Sequence, residues 1–344
     1  MSFSIKLKEE IVKIEKMIII KTESNENINF NKDIIIILFI KFKIIIILAF
    51  NFIFLSIIII IQIELKNKTC ICTLGKQENK YIREFVEYYK KIGVDKIYLY
   101  DNNDIKGEKF ENVIFEYIKS GYVEIIHWRG KKLSQLKAMN DCYKKNYNKY
   151  DWLLFYDIDE YISIINYSNI KHFLNEKKFF QCQLIYLNLI PHTDNNQIYY
   201  QNNSLFERFP ERVSREKPEG KRLEIKFILK GHIPNIKIKN QHYCNYKLKN
   251  CNGFGKMNSS HHIYTNTPDY KYYYIDHFFS KSTEELVDKL IKGDCRYSNF
   301  KKMKMRKISR YFNQSEVNKE KIEMIEKRLK IKLNSSKYTK IFIH

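Results

Sequence analysis

Two apolar patterns divide the chain. Residues 44–61 are nearly unbroken Ile, Leu and Phe, relieved only at Ala49, Asn51 and Ser56, whereas from Thr69 onward short apolar runs alternate with helical periods. At ~1.5 Å rise per residue the first run is ~27 Å long, close to the hydrocarbon thickness of a bilayer, so it predicts a transmembrane signal anchor over residues 44–63. A cleaved signal peptide would be shorter, nearer Met1 and followed by small residues. An earlier apolar run at 34–40 is set apart by Lys41 and Lys43, and the span is placed after them. Those lysines and Lys32, against Glu64, Lys66 and Lys68 on the other side, predict a cytoplasmic tail over 1–43. Beyond a short stem at 64–68 the remainder is expected in the lumen of the endoplasmic reticulum or Golgi, making a single-pass type II membrane protein.

In that remainder, 70–74 reads as a strand, and Tyr81, Ile82, Phe85, Val86 and Tyr89 recur at helical spacing until Gly93 offers a stop. A second strand over 96–100 ends in Asp101-Asn102-Asn103. Phe110, Val113, Ile114, Tyr117 and Ile118 mark a second helix, closed near Gly121. A strand over 123–128, a helix through Leu136, Met139 and Tyr143, and a strand over 152–156 follow. This alternation predicts an α/β fold, a Rossmann-like and mostly parallel sheet flanked by helices, with ligands at the carboxyl ends of the strands. Asp101, Arg129 and Asp157 all fall at such ends. Residues 69–300 suffice for one domain of this kind. Residues 301–344 read as a basic helical extension, in which Lys301, Lys302, Lys304, Arg306, Lys307 and Arg310 precede an amphipathic period through Ile322, Ile325 and Leu329.

Composition changes this picture little. A balance of 61 Lys+Arg against 39 Asp+Glu, net +22, would ordinarily point to nucleic acid or an anionic surface. The chain is also crowded with Ile, Asn, Lys and Tyr, the residues an AT-rich coding sequence supplies, and no nucleic-acid recognition motif accompanies the charge. Nucleic acid is therefore not expected as a partner. The seven cysteines, Cys70, Cys72, Cys142, Cys182, Cys244, Cys251 and Cys295, lack the repeated spacing of a zinc site. In an oxidising lumen they allow one or two disulfides, with Cys244–Cys251 a local candidate and one thiol left over within the monomer. Sequons at Asn67, Asn166, Asn202, Asn258, Asn313 and Asn334 permit glycosylation.

The candidate chemistry lies in Trp152-Leu153-Leu154-Phe155-Tyr156-Asp157-Ile158-Asp159-Glu160, an apolar strand that ends in three carboxylates. Like charges so close invite a cation, and a hard divalent ion held by few carboxylates keeps positions open for substrate phosphates. Neither a Gly-x-Gly-x-x-Gly turn nor a Gly-Lys-Ser/Thr loop is present, so phosphate neutralisation would fall to that ion. The acidic motif at a strand end, in place of a glycine cradle, points to nucleotide-sugar chemistry.

With Glu78-Asn79-Lys80-Tyr81-Ile82-Arg83-Glu84-Phe85, Gly93-Val94, Tyr98-Leu99-Tyr100-Asp101-Asn102-Asn103, Gln135, Asn140-Asp141-Cys142, Asp157-Ile158-Asp159-Glu160-Tyr161 and His277-Phe278-Phe279-Ser280-Lys281-Ser282 in order, the chain resembles glycosyltransferase family 92 and its family 2-like relatives of the GT-A fold. The resemblance runs from about Thr69 to Asp294. It implies a metal-dependent, inverting transferase that moves a hexose, of the galactose or N-acetylhexosamine class, from a nucleotide-diphosphate sugar to a glycan or glycoprotein acceptor. It further implies that Asp159 binds Mn²⁺ or Mg²⁺ directly, and that Asp157 contacts the ribose or the ion's water shell. His277 would be a third ligand or a diphosphate contact, and Lys281 a point charge near the diphosphate. Asp101 would accept from uracil or ribose, Arg129 would reach the phosphates and Gln135 would face the donor. Asn140 and Asp141 are equally capping or packing groups.

An inverting transfer needs a base for the acceptor hydroxyl. Glu160, Glu207, Glu219 and Glu224 are the candidates, and the residues do not choose among them. The acceptor-side half departs from the family: Phe278 stands where relatives commonly have Tyr, the stretch after Lys226 has no clear equivalent, and His242, His261 and His262 add imidazoles of no assigned role. Two other accounts stay open: a metal-dependent phosphoryl or nucleotidyl transferase, which would show a second carboxylate cluster, and a membrane-anchored nucleotide-sugar or glycan-binding protein that has lost turnover.

Overall fold

The computed structural model describes residue 16 and residues 42–56, 67–131, 134–213, 223–242, 244, 247–257, 264–265, 271–293, 300–312 and 316–333. Glu219, His261, His262, Cys295 and the sequons at Asn258, Asn313 and Asn334 lie outside them. The chain divides into two compact units, Met1–Ile63 and Glu64–His344. In the first, residues 42–56 are helical and expose Phe42, Leu48, Phe50, Phe52 and Phe54. The rest of the expected span, 57–63, is not described. Among the described residues no helix is long and apolar enough to cross a membrane.

The second unit is built on a ten-stranded sheet. Strands β1 (Thr69–Gly75), β2 (Lys96–Asp101), β3 (Val123–His127) and β4 (Trp152–Leu154) alternate with helices α1 (Asn79–Lys91), α2 (Glu111–Lys119) and α3 (Gln135–Asn146). These four strands are parallel, with β1 between β2 and β4, as the alternation predicts. After β4 the direction changes. Strands β5 (Glu160–Ile164), β6 (Leu184–Pro191), β7 (Leu223–Lys230) and β10 (Tyr273–His277) extend the order to β3-β2-β1-β4-β7-β6-β10-β5. Strand β7 runs antiparallel to both β4 and β6, and β5 antiparallel to β10, while β10 and β6 are parallel. The sheet is thus mixed rather than mostly parallel beyond β4. The short β8 (Asn250–Asn252) and β9 (Tyr264–Thr265) pair with β6 and β7. Helices α4 (Ile170–Leu174) and α5 (Leu205–Arg208) are short, and α6 (Thr283–Lys292), α7 (Phe300–Phe312) and α8 (Lys319–Leu329) close the unit.

Period-two alternation along the strands fills both faces. Ile71, Ile97, Leu99, Trp152, Leu154 and Ile228 join one core with Phe85, Val86 and Tyr89 of α1. Their neighbours Cys70, Cys72, Tyr98, Tyr100, Leu153, Phe227 and Leu229 join the opposite core with Ala138, Met139 and Cys142 of α3. Both faces are therefore buried, which is why these strands read as continuous apolar runs. A third core gathers Leu286, Leu290, Ile308, Tyr311, Phe312, Ile325 and Leu329 from α6, α7 and α8. The extension expected at 301–344 thus shares a core with α6.

Two disulfides tie the unit, Cys72–Cys142 between β1 and α3, and Cys182–Cys251 next to the β6–β8 pairing. The expected Cys244–Cys251 bond is corrected: Cys251 sits opposite Ile185 in the β6–β8 register, which brings it to Cys182, while Cys244 packs in the core under α3. Sequence proximity was the poorer guide because sheet register, not chain separation, sets the distance between two sulfurs.

Candidate active site

The three carboxylates sit on the turn between β4, near the middle of the sheet, and β5, at its far edge. Here a strand end meets an antiparallel register that pairs Glu160 with His277. Directly opposed residues on adjacent strands bring their side chains close, so β10 delivers the imidazole to the acidic turn. The Phe278 amide donates to the Asp159 carbonyl at 2.9 Å, fixing the loop after β10 against the same turn. Ligand atoms of Asp159, Glu160 and His277 lie within 4.8 Å of one another, and all three residues are buried.

Lysines from three further elements surround the turn. Lys226, in the middle of β7, bridges Asp157 Oδ2 at 2.9 Å and Glu160 Oε2 at 3.0 Å. Lys289 on α6 reaches Asp159 Oδ2 at 2.6 Å, and Lys281 stands 3.7 Å from the same oxygen with its ammonium 4.1 Å over the Tyr81 ring. Ser282 and Glu285 form a capping box that starts α6 immediately after Lys281, and this sets the helix phase that points Lys289 back to the turn. Arg208 and Tyr81 both bind Glu285, so the cap is itself held in the core.

Electrostatics follow from this packing. Burial opposes ionisation of Asp159, but the Lys289 and Lys281 ammonium groups outweigh it and hold its carboxyl well below the usual carboxylate range. Burial, against the pull of Asp159 and with the help of Lys289, Arg310 and Lys226, pushes the His277 imidazole well below its ordinary value, so it is neutral with a lone pair to offer. Burial also works against the Lys226 ammonium, yet Asp157 and Glu160 raise it above the ordinary lysine range.

A donor set of two carboxylates and one neutral imidazole suits Mn²⁺ or Mg²⁺. Two details support the fit. His277 Nδ1 is buried without a hydrogen-bond partner, and Nε2 stands 3.9 Å from Asp159 Oδ1, the oxygen opposite the one the lysines take. Asp157, expected to share the ion or its water shell, is outside that group: its Oδ1 accepts from Gln135 Nε2 at 2.8 Å and its Oδ2 is paired with Lys226. Gln135 is therefore at the motif, on the first turn of α3. Thr73, Gln135, Met139, Tyr156, Asp157 and Lys226 line a cleft beside it, where Thr73 Oγ1 and the Tyr156 hydroxyl are buried without hydrogen-bond partners.

Asp101 and Arg129 are placed together but engaged with each other. Asp101 is fully buried; its Oδ2 is 2.7 Å from Arg129 Nη2 and its Oδ1 accepts from the Asn103 amide and side chain. Arg129 also donates to the carbonyls of Asp104, Ile105 and Glu108. This pair and Asn102, which bonds the Trp128 and Lys131 carbonyls, staple the loops after β2 and β3. Asn140 holds the 238 loop through Ile238, and Asp141 accepts from the Tyr100 hydroxyl.

Of the base candidates, Glu160 is bound to Lys226 and to the Asp157 amide. Glu207 closes the capping box of α5. Glu224 on β7 pairs with Arg310 of α7 at 3.2 Å and keeps a quarter of its side chain exposed. Lys226, Lys289 and Arg310 are site residues that sequence reasoning passed over. Lys226 did carry a signal, a lysine inside the apolar strand Ile225–Leu229, where an unpaired charge is rarely tolerated.

Comparison with known proteins bears on what this site serves. A glycosyltransferase family 92 protein of Oryza sativa subsp. japonica is 32% identical over 94 residues, 27% of this chain and 16% of its own length. Another, of Ricinus communis, is 28% identical over 96 residues, 28% of this chain and 17% of its own length. The chain thus aligns with less than a fifth of the length of these curated relatives. Among solved structures, TarS 1–349 of S. aureus in complex with UDP is similar at 14% identity and a TM-score of 0.35, over 76% of this chain and 70% of its own. The sequence model of family 92 matches residues 67–333, from just before β1 to just past α8, and the chain belongs to glycosyltransferase family 92.

Proposed function

We propose that this chain is a metal-dependent, inverting glycosyltransferase of GT-A type. In this reading it transfers a hexose, of the galactose or N-acetylhexosamine class, from a nucleotide-diphosphate sugar to a hydroxyl of a glycan or glycoprotein. The observation that carries the reading is the meeting of Asp159, Glu160 and His277 at one sheet edge inside a family 92 chain. Bound there, Mn²⁺ or Mg²⁺ would stabilise the negative charge that develops on the departing diphosphate. Asp159, Glu160 and His277 would hold the ion, and Lys226 braces the turn through Asp157 and Glu160. Lys281 and Lys289 add fixed positive charge on the leaving-group side, in a site dry enough for it to act strongly. Gln135 and Asp157 lie at the strand end beside which the nucleotide would bind. Asp101 and Arg129 staple the loops after β2 and β3 through their mutual pair. The acceptor base stays among Glu160, Glu207, Glu219 and Glu224.

The lysines already neutralising Asp159 favour one alternative, a donor site that works without a metal ion. Hydrolysis of a nucleotide-sugar panel by the full chain in detergent separates the two. Release from one donor that needs Mn²⁺ or Mg²⁺ and falls at least ~100-fold in Asp159→Asn supports the proposal. Release that survives chelation supports the metal-free account, and a chain that binds donor without releasing sugar is a binding protein. We also propose residues 44–63 as the signal anchor, with the second unit lumenal in the Golgi or endoplasmic reticulum. Protease protection of residues 67–333 in sealed microsomes tests it, and digestion without detergent would overturn it.

A further inference from the structure

The extension past residue 300 does more than cover the fold. We propose that Arg310, on α7, is a binding residue for the diphosphate of the donor; this deepens the transferase reading and rests on it. The Arg310 guanidinium carbon lies 4.6 Å from the centre of the Phe279 ring, and the Lys289 ammonium lies 4.7 Å from the same centre. The His277 and Phe279 ring centres are 5.7 Å apart, and Lys289 reaches Asp159 at 2.6 Å. Arg310 therefore stands one ring away from the carboxylate–imidazole group.

Among the cations recorded around this turn, Arg310 is the one placed to meet an incoming anion. Lys226 and Lys281 have side chains 1% and 4% exposed and Lys289 is 20% exposed, with their ammonium groups facing Asp157, Asp159 and Glu160. Arg310 is 31% exposed and its ion-pair partner, Glu224, is 25% exposed. A guanidinium presents several N–H donors in a planar fork that matches phosphate oxygens, so it can release or share a surface carboxylate and grip a diphosphate in two places.

The position of Arg310 is also built. The next residue, Tyr311, is fully buried, and its hydroxyl lies 2.7 Å from Thr283 Oγ1 and donates to Asp194 Oδ2 at 2.6 Å. Lys321 of α8, wholly buried, pairs with the same Asp194 oxygen at 2.6 Å and donates to Asn196 Oδ1 and the Glu316 carbonyl. A buried polar hub of this kind fixes the rotation of α7, and with it the direction of Arg310.

Titration of the full chain in detergent with inorganic pyrophosphate, in buffer containing Mg²⁺, tests the inference by calorimetry without any need for the sugar or acceptor. Arg310→Gln should weaken binding about 10-fold, Arg310→Lys should lose less, and Glu224→Gln should bind as tightly as the unaltered chain or more tightly, because a competing carboxylate is gone. Equal weakening by Arg310→Gln and Glu224→Gln would make the pair a structural strut and overturn the inference. So would full affinity in Arg310→Gln, and either result would leave the transferase reading standing. Absence of pyrophosphate binding by the unaltered chain would overturn the inference, and nucleotide-sugar hydrolysis would still decide the transferase reading. The lysine variant keeps the charge and the packing over Phe279, so the comparison survives if the glutamine variant folds poorly.

Discussion

At the scale of single residues, the site is a set of buried charges that are affordable only together. Removing Lys226 leaves Asp157 and Glu160 facing each other with Glu160 out of water, and loss of one partner from a buried pair typically costs ~3–5 kcal/mol. Lys226→Met is therefore expected to lower the unfolding free energy from urea titration by that much, whereas Lys145→Met, which breaks a more exposed pair with Asp141, should change it by less than ~1 kcal/mol. Acid sensitivity has a separate source in His242, which burial and then Lys226 push down to about 4. Its ordinary value is ~6.5, so between these limits the unfolded chain binds a proton that the folded chain does not. The contribution is intact above ~6.5 and is lost as pH falls towards 4, by ~3 kcal/mol at most. His242→Gln should flatten stability against pH over that window; an unchanged slope would assign it to other groups. The acidic motif itself was legible from residue types and spacing. The lysines were not, because a charge inside an apolar strand or on a helix face acquires meaning only when its partner is known.

Elements decide how close the residues come. Strand β1 ends at Gly75, where an added Cβ would lie 2.6 Å from Phe110 Cζ and 2.8 Å from Ile158 Cδ1. Ile158 separates Asp157 from Asp159 on the turn, so Gly75→Ala must displace the Phe110 ring or the Ile158 side chain in the middle of the motif. Donor hydrolysis is expected to fall ~10-fold or more with the far-ultraviolet spectrum retained, since misplacement of ~1 Å at a catalytic centre can cost that much. Normal turnover in this variant would mean that the Phe110 side yields instead. The first four strands and three helices were legible in the sequence, since periods of two and 3.6 report burial directly. Strand direction after β4 was not, because an apolar run carries the same pattern whether its neighbours run parallel or antiparallel. Yet that direction matters most here: the antiparallel β5–β10 register is what sets His277 against Glu160.

For the whole molecule, distant segments are held by contacts the chain order hides. The Cys182–Cys251 bond closes a separation of 69 residues, for which the chain-entropy account gives ~4 kcal/mol. Cys182→Ser should lower the thermal midpoint measurably under oxidising conditions, and a thiol reductant should then have less further effect on it than on the unaltered chain. Had Cys251 paired with Cys244, Cys182→Ser would leave the midpoint nearly unchanged. The sequence by itself determined the alternation of strand and helix, the apolar run at 44–61, the acidic strand end and the likeness to family 92. These are local, and local periodicity and short motifs survive in one dimension. Tertiary structure alone decided which cysteines meet, that Asp101 and Arg129 bind each other, that Glu160 rather than Asp157 joins Asp159 and His277, and that α7 brings Arg310 to the site. Each of those depends on sheet order and helix rotation, which are set by the packing of side chains far apart in the chain and leave no mark at the positions themselves.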